Sequence, residues 1–290
     1  MSIQPKNFHT CMLTKNDCYV RNSKESKLPT AQQDGRYRRY YAGPTHIVVH
    51  STGANNPWLL RYVQPDDGIL GKNRYGNSWN NPGLDVCVNA FIGKADDGTV
   101  STYQTLPWEF RPWGVGSGSK GSYNDCAIQF EICEDDLTDR AYAQECFEAA
   151  AFLSAYLCRE YGIPIGNVVS HNEAHELGYG SNHGDPEHWW PKFNLSMDKF
   201  RARVQEILTE DEKSSDDGNK SVFDLSGTGN AHSAWFDREI AWAVENGLFK
   251  GDGEGNFGWQ KAMTREQFAA VLYRFENYLA TRAGDTAKKT

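Results

Sequence analysis

The sequence predicts an α/β protein with a mixed central β-sheet flanked by helices, followed by a small α-helical C-terminal module. Short apolar runs bounded by Gly, Pro and Asn alternate with helical patterns between residues 45 and 208, which is typical of a mixed sheet covered by helices. A polar, acidic and Gly/Ser-rich segment follows at 209–231 and is typical of a linker. The predicted organisation is therefore a domain at 1–208, a linker at 209–231 and a module at 232–290.

The order of elements in the first domain follows from local patterns. Apolar or alternating runs predict strands at 45–49, 84–92, 99–104, 127–132 and 168–170, with a hairpin turn at 96–98. Thr138 is the predicted cap of a long helix whose apolar positions run to Leu157 and which ends at Gly162. A second amphipathic helix is predicted at 196–208, and residues 55–83 are predicted to form loops over the active face.

Composition excludes some classes of partner. The 290 residues carry a formal net charge of −8 without a long basic block, which argues against nucleic-acid binding. The chain shows no apolar stretch near the roughly 18 residues of a membrane span, and its first residues show no secretory signal. The seven cysteines form no C-x-x-C pattern, so we expect thiols in a reducing compartment.

The histidines indicate a metal site. Four of the eight fall between positions 171 and 188, together with Asp185, while His50 ends an apolar run upstream. His50 and His171 each follow a predicted strand, and strand ends meet at one edge of a sheet. Imidazoles with a carboxylate are typical ligands of a catalytic zinc ion with one open position. His183 and His188 remain alternatives to Asp185 as third ligand.

Two further patterns have competing interpretations. His171 and His175 are spaced to share a helix face, but the zinc-protease pattern requires Glu directly after the first His, where this chain has Asn172. Glu131 lies on the polar face of the predicted strand 127–132, where it is either a base in the cleft or a solvated strand residue.

These residues resemble the zinc-dependent N-acetylmuramoyl-L-alanine amidases, which are related to peptidoglycan recognition proteins and phage endolysins. The resemblance covers roughly residues 35–208 in the same order. It rests on four motifs: His50-Ser-Thr-Gly-Ala-Asn-Asn-Pro57, Gln104-Thr-Leu-Pro-Trp108, Glu131-Ile-Cys-Glu-Asp-Asp136, and Ser181-Asn-His183 before Asp185-Pro186. It implies an amidase-like fold and hydrolysis of the amide between N-acetylmuramic acid and L-alanine.

The resemblance also implies residue roles. His50, His171 and Asp185 would bind Zn²⁺, Glu131 would carry the water proton to the leaving amine, and His183 would support the oxyanion. Two positions depart from the family pattern: relatives often have His at Asn89 and at Gly114. Because those positions are expected to line the substrate groove or support the reaction, the departures bear on efficiency and specificity.

The C-terminal module resembles one S-layer homology repeat. A short helix ends at Gly247, a tight loop follows at 251–257, and Thr264-Arg-Glu-Gln267 begins a second amphipathic helix with a capping box. The loop does not fit a calcium-binding EF-hand, since Phe257 and Met263 stand where Gly and Glu are required. The resemblance implies binding of an anionic secondary cell-wall polymer, for which Arg265 in the first helical turn is the candidate; the alternative is a solvated arginine in a structural hairpin.

The expected function is therefore peptidoglycan amide hydrolysis, with the C-terminal module directing the enzyme to a Gram-positive wall. We expect a phage or prophage endolysin, synthesised in the host cytoplasm without a signal peptide and acting on the wall after release. The alternatives are a peptidoglycan-binding protein without activity and a zinc endopeptidase. Because one repeat has a small core, self-association through 232–279, most simply as a trimer, is also expected.

Overall fold

The computed structural model describes residues 3, 5–36, 43–64, 67–216, 237–251, 256–259, 261 and 263–286. The chain divides into two compact units, Met1–Ser215 and Asp216–Thr290. Within the described residues, no helix has the length and apolar character needed to cross a membrane. Most of the predicted linker, residues 217–231, lies outside the described residues.

The N-terminal unit contains six strands and four α-helices among its described residues. The strands are β1 Phe8–Thr10, β2 His46–Ser51, β3 Ala90–Lys94, β4 Val100–Gln104, β5 Ala127–Ile132 and β6 Val168–Ser170. The helices are α1 Asp17–Glu25, α2 Arg140–Tyr161, α3 His171–Glu176 and α4 Met197–Asp216. Short 3-10 helices occur at Thr30–Gln32, Leu59–Arg61, Tyr123–Asp125, Ile165–Asn167 and Trp190–Phe193.

The strands form one mixed sheet in the order β1-β4-β3-β5-β2-β6. Only β3 and β4 pair antiparallel, through the predicted turn at 96–98, where Gly98 adopts a φ of 85°. The other neighbouring strands are parallel, so β3, β5, β2 and β6 all end at the same edge. Because β2 is apolar and buried along most of its length, it occupies an interior position in the sheet. The predicted mixed α/β fold is confirmed.

Helix α2 covers one face of the sheet and supplies much of the main core. Its buried residues include Phe147, Leu153 and Leu157, which join Ile128 and Phe130 of β5 in one apolar cluster. The N-cap is Asp139, whose carboxylate accepts from the amide of Tyr142 at 3.0 Å, so the predicted cap at Thr138 is one residue early. Gly162 ends the helix with a φ of 64°, a left-handed conformation that glycine adopts without strain.

The structure differs from the sequence prediction in three further places. Strand β3 begins at Ala90 rather than at residue 84, because 84–89 pairs only through an isolated bridge between Cys87 and Trp113. Strand β1 and helix α1 lie in a polar N-terminal region whose pattern predicted no element. Helix α4 continues to Asp216, beyond the predicted boundary at residue 208 and into the segment assigned to the linker.

The C-terminal unit contains helices α5 Asp237–Glu245 and α6 Arg265–Thr286 among its described residues. A small core forms around Ile240, Val244 and Leu248, all less than 9% exposed. The guanidinium of Arg274 donates to the carbonyl of Leu248 at 2.8 Å and ties the two helical segments together. The predicted capping box is present at the start of α6, since the backbone amide of Thr264 donates to the side-chain oxygen of Gln267 and the backbone amide of Gln267 donates to the hydroxyl of Thr264.

Candidate active site

Three buried side chains converge at the edge where the parallel strands end. His50 lies near the end of β2, His171 begins α3 directly after β6, and Asp185 lies in the loop beyond. Nδ1 of His50 is 3.0 Å from Nδ1 of His171 and 3.2 Å from Oδ2 of Asp185. Nδ1 of His171 is 3.3 Å from Oδ1 of Asp185. The three therefore present one ligand atom each to a common point, within 4.8 Å of one another.

The tautomer of His50 is fixed by a chain of hydrogen bonds that starts at the backbone. The side-chain oxygen of Asn124 accepts from the amides of Gly114 and Val115, at 3.1 and 3.2 Å. That oxygen also accepts from the amide nitrogen of Gln129 at 2.8 Å, which turns the Gln129 oxygen toward Nε2 of His50 at 3.0 Å. Nε2 of His50 must therefore carry the proton, and its Nδ1 presents a lone pair to the cluster.

The tautomer of His171 is fixed in the same manner by a hydroxyl group. The hydroxyl of Ser181 donates to the backbone carbonyl of Val115 at 3.1 Å. Its oxygen is 3.1 Å from Nε2 of His171 and can only accept there, so Nε2 carries the proton. Nδ1 of His171 consequently also presents a lone pair to the cluster.

Two imidazole lone pairs and a carboxylate thus face one another without a hydrogen between them. Such an arrangement is suited to a cation at its centre, and two nitrogens with one oxygen match the donor set of catalytic zinc. Ligand bonds of about 2.0–2.1 Å in a tetrahedron place neighbouring donor atoms about 3.3 Å apart, close to the separations around the cluster. The residues therefore fit a zinc ion with three protein ligands and one open position.

Asp185 carries the negative charge of the cluster. Burial alone would raise the pKa of its carboxyl group, but hydrogen bonding to His171 and His50, and positive charge at those positions, hold that pKa well below its usual range. Asp185 is thus an anion, and because both Nδ1 atoms are without a proton, a bound cation would supply the positive charge that stabilises it. Its Oδ2 also accepts from the amide of Ser51 at 3.3 Å, which fixes its orientation.

Glu131 lies beside the cluster on β5, directly opposite His50 in the parallel register. Its Oε2 atom is buried and has no hydrogen-bond partner among the described residues. Burial, followed by the negative charges of Asp185 and Glu134, raises the pKa of Glu131 well above its usual range. A buried, unpaired carboxylate with a raised pKa next to a metal site is suited to accept and return a proton.

His183 lies at the rim of the site. Its ring stacks on that of His171, with centroids 4.6 Å apart and planes 16° from parallel. Nδ1 of His183 is 3.8 Å from Oδ1 of Asp185, and the side chain is 61% exposed. The exposed ring of His183 therefore lies beside the three-residue cluster, where a donor could reach a bound substrate.

His188, the other alternative ligand, contacts a different carboxylate. Its Nε2 is 3.0 Å from Oε1 of the buried Glu134, which also accepts from the amide of Gly53 at 3.1 Å. His188 and Glu134 thus connect the loop after β2, the end of β5 and the loop that carries Asp185. His175, the proposed helical partner of His171, instead has its Nδ1 3.3 Å from the carbonyl of Gly180.

Comparison with known proteins agrees with this geometry. The sequence profile of the N-acetylmuramoyl-L-alanine amidase family matches residues 40–188, which include every member of the cluster. The chain belongs to this family. The profile of the S-layer homology domain matches residues 229–269, so both resemblances predicted from the sequence are confirmed.

Individual relatives are distant. The chain is 27% identical over 139 residues to the N-acetylmuramoyl-L-alanine amidase CwlH of Bacillus subtilis, covering 46% of each protein. It thus spans about half the length of that curated relative. Among solved structures, the hydrolase AmiA of Staphylococcus aureus in complex with its ligand is 21% identical, with a TM-score of 0.49 over 72% of this chain and 87% of that one. A mutant endolysin from Bacillus subtilis is 25% identical, with a TM-score of 0.38 over 56% and 85% of the two chains.

The two positions that depart from the amidase pattern both lie beside Gln129, and Asn89 does not line an open groove. Asn89 is fully buried, donates to the carbonyls of Pro107 and Phe110, and accepts from the amide of Gln129. Gly114 lies beside the same glutamine, since a Cβ there would be 2.6 Å from its Oε1 atom. A larger residue at Gly114 would displace the oxygen that orients His50.

Several residues of this amidase site were not predicted from the sequence as functional. Gln129 gave a partial signal, since it shares the polar face of β5 with Glu131. Ser181 and Glu134 belong to motifs that carry the resemblance but were given no role, and Asn124 gave no signal. Arg265, the candidate polymer-binding residue, lies exposed at the first position of α6 in the S-layer homology module.

Proposed function

We propose that this amidase-family protein is a zinc-dependent hydrolase of the amide between N-acetylmuramic acid and L-alanine in peptidoglycan. The observation that carries this proposal is the pair of imidazole lone pairs, with Asp185, beside a buried and unpaired Glu131. A protein that only binds peptidoglycan needs neither feature. The candidate ligand set and the candidate base occur side by side in this chain, which supports the proposal.

Each residue of the site has a separate role in the proposed reaction. His50, His171 and Asp185 would hold zinc, which supplies a Lewis acid that acidifies water and polarises a carbonyl group. Glu131 accepts the proton of the attacking water, and its raised pKa lets it retain that proton until the leaving amine of L-alanine takes it. His183, exposed next to Asp185, donates a hydrogen bond to the carbonyl oxygen as negative charge develops there.

Product analysis on a defined muropeptide tests this proposal. The full-length protein is incubated with N-acetylmuramoyl-L-alanyl-D-isoglutamate, with zinc or with a chelator. We expect a new amino terminus at L-alanine, loss of activity with the chelator and recovery on adding zinc. Binding without any product would indicate a recognition protein. A new terminus at another residue of a longer stem peptide would indicate an endopeptidase.

The S-layer homology module supports a proposal about wall binding and assembly. Arg265 begins α6, where a guanidinium and a helix N-terminus both favour an anionic polymer. Phe268, Leu272 and Leu279 of the same helix are each more than half exposed, and Phe275 is 40% exposed. Their spacing forms one apolar stripe, which is typical of a helix that packs against a copy of itself. We propose that the module binds the secondary wall polymer and self-associates as a trimer.

We further propose an endolysin role, in which the protein is made in the host cytoplasm and reaches the wall on release. The combination of a wall amidase domain with a wall-binding module supports this role. Fractionation of producing cells before lysis, followed by addition of the purified protein to intact walls, tests it. Protein found in the wall fraction of intact cells before lysis would contradict it.

A further inference from the structure

Two loops of the active site meet at the turn formed by residues 114–116. The backbone carbonyl of Val115 accepts from the amide of Ser181 at 2.9 Å and from the hydroxyl of Ser181 at 3.1 Å. Gly116 lies against the same serine, since a Cβ at that glycine would be 2.8 Å from Oγ of Ser181. The turn therefore positions the hydroxyl group that contacts Nε2 of His171.

The fully buried side chain of Asn124 holds this turn in place. Its oxygen accepts from the backbone amides of Gly114 and Val115, and its nitrogen donates to the backbone carbonyl of Gly116 at 2.9 Å. A backbone amide can only donate and a backbone carbonyl can only accept. These three backbone groups therefore determine which end of the Asn124 amide is the oxygen and which is the nitrogen.

The same amide oxygen of Asn124 also determines the orientation of His50. It accepts a third hydrogen bond from Nε2 of Gln129, which leaves Oε1 of Gln129 to accept from His50. Two hydrogen-bond chains thus begin at one asparagine. The first chain runs through Gln129 to His50, and the second runs through the turn and the hydroxyl of Ser181 to His171.

We propose that Asn124 is a positioning residue for both imidazole ligands of the metal ion. Loss of its side chain releases the turn and the Gln129 amide together, so His50 and His171 are both free to rotate or change tautomer. Both imidazoles must present Nδ1 as a lone pair at the same time, and a protein that does so for only part of the time binds the ion more weakly by that fraction. This inference rests on the proposed function, because it takes zinc as the bound ion.

Another buried asparagine provides the matched control. Asn22 of α1 is 1% exposed, its side chain donates to the carbonyls of Cys18 and Arg111, and it accepts from the amide of Arg111. None of these partners belongs to either hydrogen-bond chain. Asn22→Leu should therefore lower the Tm, as Asn124→Leu does, but leave the zinc affinity unchanged.

Zinc affinity and the protons of the two imidazoles are measured in the full-length protein. Competition with a chromogenic chelator gives the affinities of Asn124→Leu, Asn124→Asp and Asn22→Leu. Gln129→Met and Ser181→Ala each interrupt one chain, and both are measured alone and in combination with Asn124→Leu. Nitrogen-15 NMR of the zinc-loaded proteins follows the solvent exchange of the two Nε2 protons.

The expected result is a loss at both imidazoles. Gln129→Met and Ser181→Ala should each lower zinc affinity by about 10–100-fold, and Asn124→Leu should lower it further than either. Each combination with Asn124→Leu should cost less than the product of the separate losses, because the chain is already interrupted. Asn124→Leu should accelerate the exchange of both Nε2 protons, whereas Gln129→Met and Ser181→Ala should each affect only the imidazole at the end of their own chain.

Asn124→Asp provides a second test if the leucine variant does not fold. Its carboxylate still accepts from Gln129 but cannot donate to the carbonyl of Gly116 while it is ionised. The Nε2 proton of His171 should therefore exchange faster, while that of His50 stays protected. Equal exchange of the two protons in Asn124→Asp would overturn the inference.

Two further outcomes would overturn the positioning role. One is an Asn124→Leu protein with a lowered Tm and unchanged zinc affinity, as expected of Asn22→Leu. The other is a set of combined variants whose losses multiply in full, because Asn124 would then act independently of both chains. If the unsubstituted protein binds zinc but releases no product from the muropeptide, the proposed function fails, and the zinc affinities still decide the role of Asn124.

Discussion

The Nδ1 atoms of His50 and His171 lie 3.0 Å apart, and neither carries a proton. Gln129 and Ser181 take the hydrogen bonds of the opposite nitrogens, so the cluster is organised for a metal ion before one binds. The carboxylate of Asp185 completes the set. With this arrangement, the proposed zinc binding would depend on residues that do not contact the ion.

Replacing a ligand should abolish zinc binding and activity together. His50→Ala removes one of three protein ligands, so purified protein should contain little zinc and release no L-alanine terminus. His46→Ala is the matched control, because His46 lies on the same strand and stacks on Tyr123 away from the cluster. Metal analysis and product analysis of the two variants provide the measurement. A His50→Ala protein with full zinc content and full activity would refute the ligand assignment.

Replacing the residue that orients a ligand should weaken zinc binding without removing it. Gln129→Met keeps the approximate volume but cannot accept from Nε2 of His50, so the imidazole can rotate or change tautomer. We expect zinc affinity to fall by about 10–100-fold, as is typical when a partner of a metal-bound histidine is lost. Competition with a chromogenic chelator measures the affinity. An unchanged affinity would show that the backbone alone holds His50 in place.

The sequence predicted the positions of the candidate ligands where local patterns determine position, and it was limited where tertiary contacts decide. The apolar runs before His50 and His171 predicted that both lie at strand ends, and parallel pairing brings those ends together. Asp185, His183 and His188 could not be separated from the sequence, because all three belong to one loop whose path is set by its packing. His188 turns away from the cluster because the buried Glu134 requires a partner.

Other differences between the sequence prediction and the structure also have local explanations. Helix α1 is capped by Asn16 and packs through few apolar residues, so its polar sequence gives no clear periodicity. The boundary of β3 was misplaced because four of the six residues at 84–89 are apolar, although the segment does not join a strand ladder. Asn89 was singled out only because relatives often have His there, and its buried contacts with backbone groups could not be read from the sequence.

Removing the charge of Glu131 should reduce turnover while stabilising the metal-free fold. Glu131→Gln keeps the shape but removes the base, so turnover should fall about 10²-fold or more with zinc retained. The pKa of Glu131 is higher in the folded protein than in the unfolded chain, so the unfolded chain loses this proton at a lower pH. Above that pH, the ionised carboxylate is more stable in the unfolded chain and therefore favours unfolding. The variant should therefore have a higher Tm than the unsubstituted metal-free protein at neutral pH.

The pH dependence distinguishes this effect from a general change in packing. The difference in Tm should disappear below the ordinary pKa of a glutamate, about 4.3, and should grow as pH rises above it. Thermal unfolding with a chelator between acidic and neutral pH measures it. A difference independent of pH would mean that Glu131 is not buried as a carboxylate.

Breaking the contact between His188 and Glu134 should loosen the loop that carries Asp185. His188→Ala leaves a buried carboxylate with one fewer donor, and such a loss typically costs about 1–3 kcal/mol, reduced here because His188 is 38% exposed. Zinc affinity should fall as well, since the contact links the loops of two ligands. The double variant His188→Ala, Glu134→Gln should recover stability because the uncompensated charge is gone. If thermal unfolding shows the same stability for His188→Ala and for the double variant, the proposed role of the contact between His188 and Glu134 is contradicted.

Residues beyond 215 should determine wall binding and assembly but not the chemistry. A 1–215 truncation retains the metal ligands, Glu131 and the entire N-terminal unit, so it should cleave soluble muropeptides as fast as the full chain. It should bind intact walls more weakly and sediment as a monomer, whereas the full chain should sediment as a trimer.

Leu272→Glu places a charge in the exposed apolar stripe of α6 and should reduce the full chain to a monomer with its soluble activity unchanged. The control Glu276→Gln changes a charged residue of the same helix that does not belong to the stripe. A full chain that sediments as a monomer and still binds walls tightly would show that the stripe has another purpose.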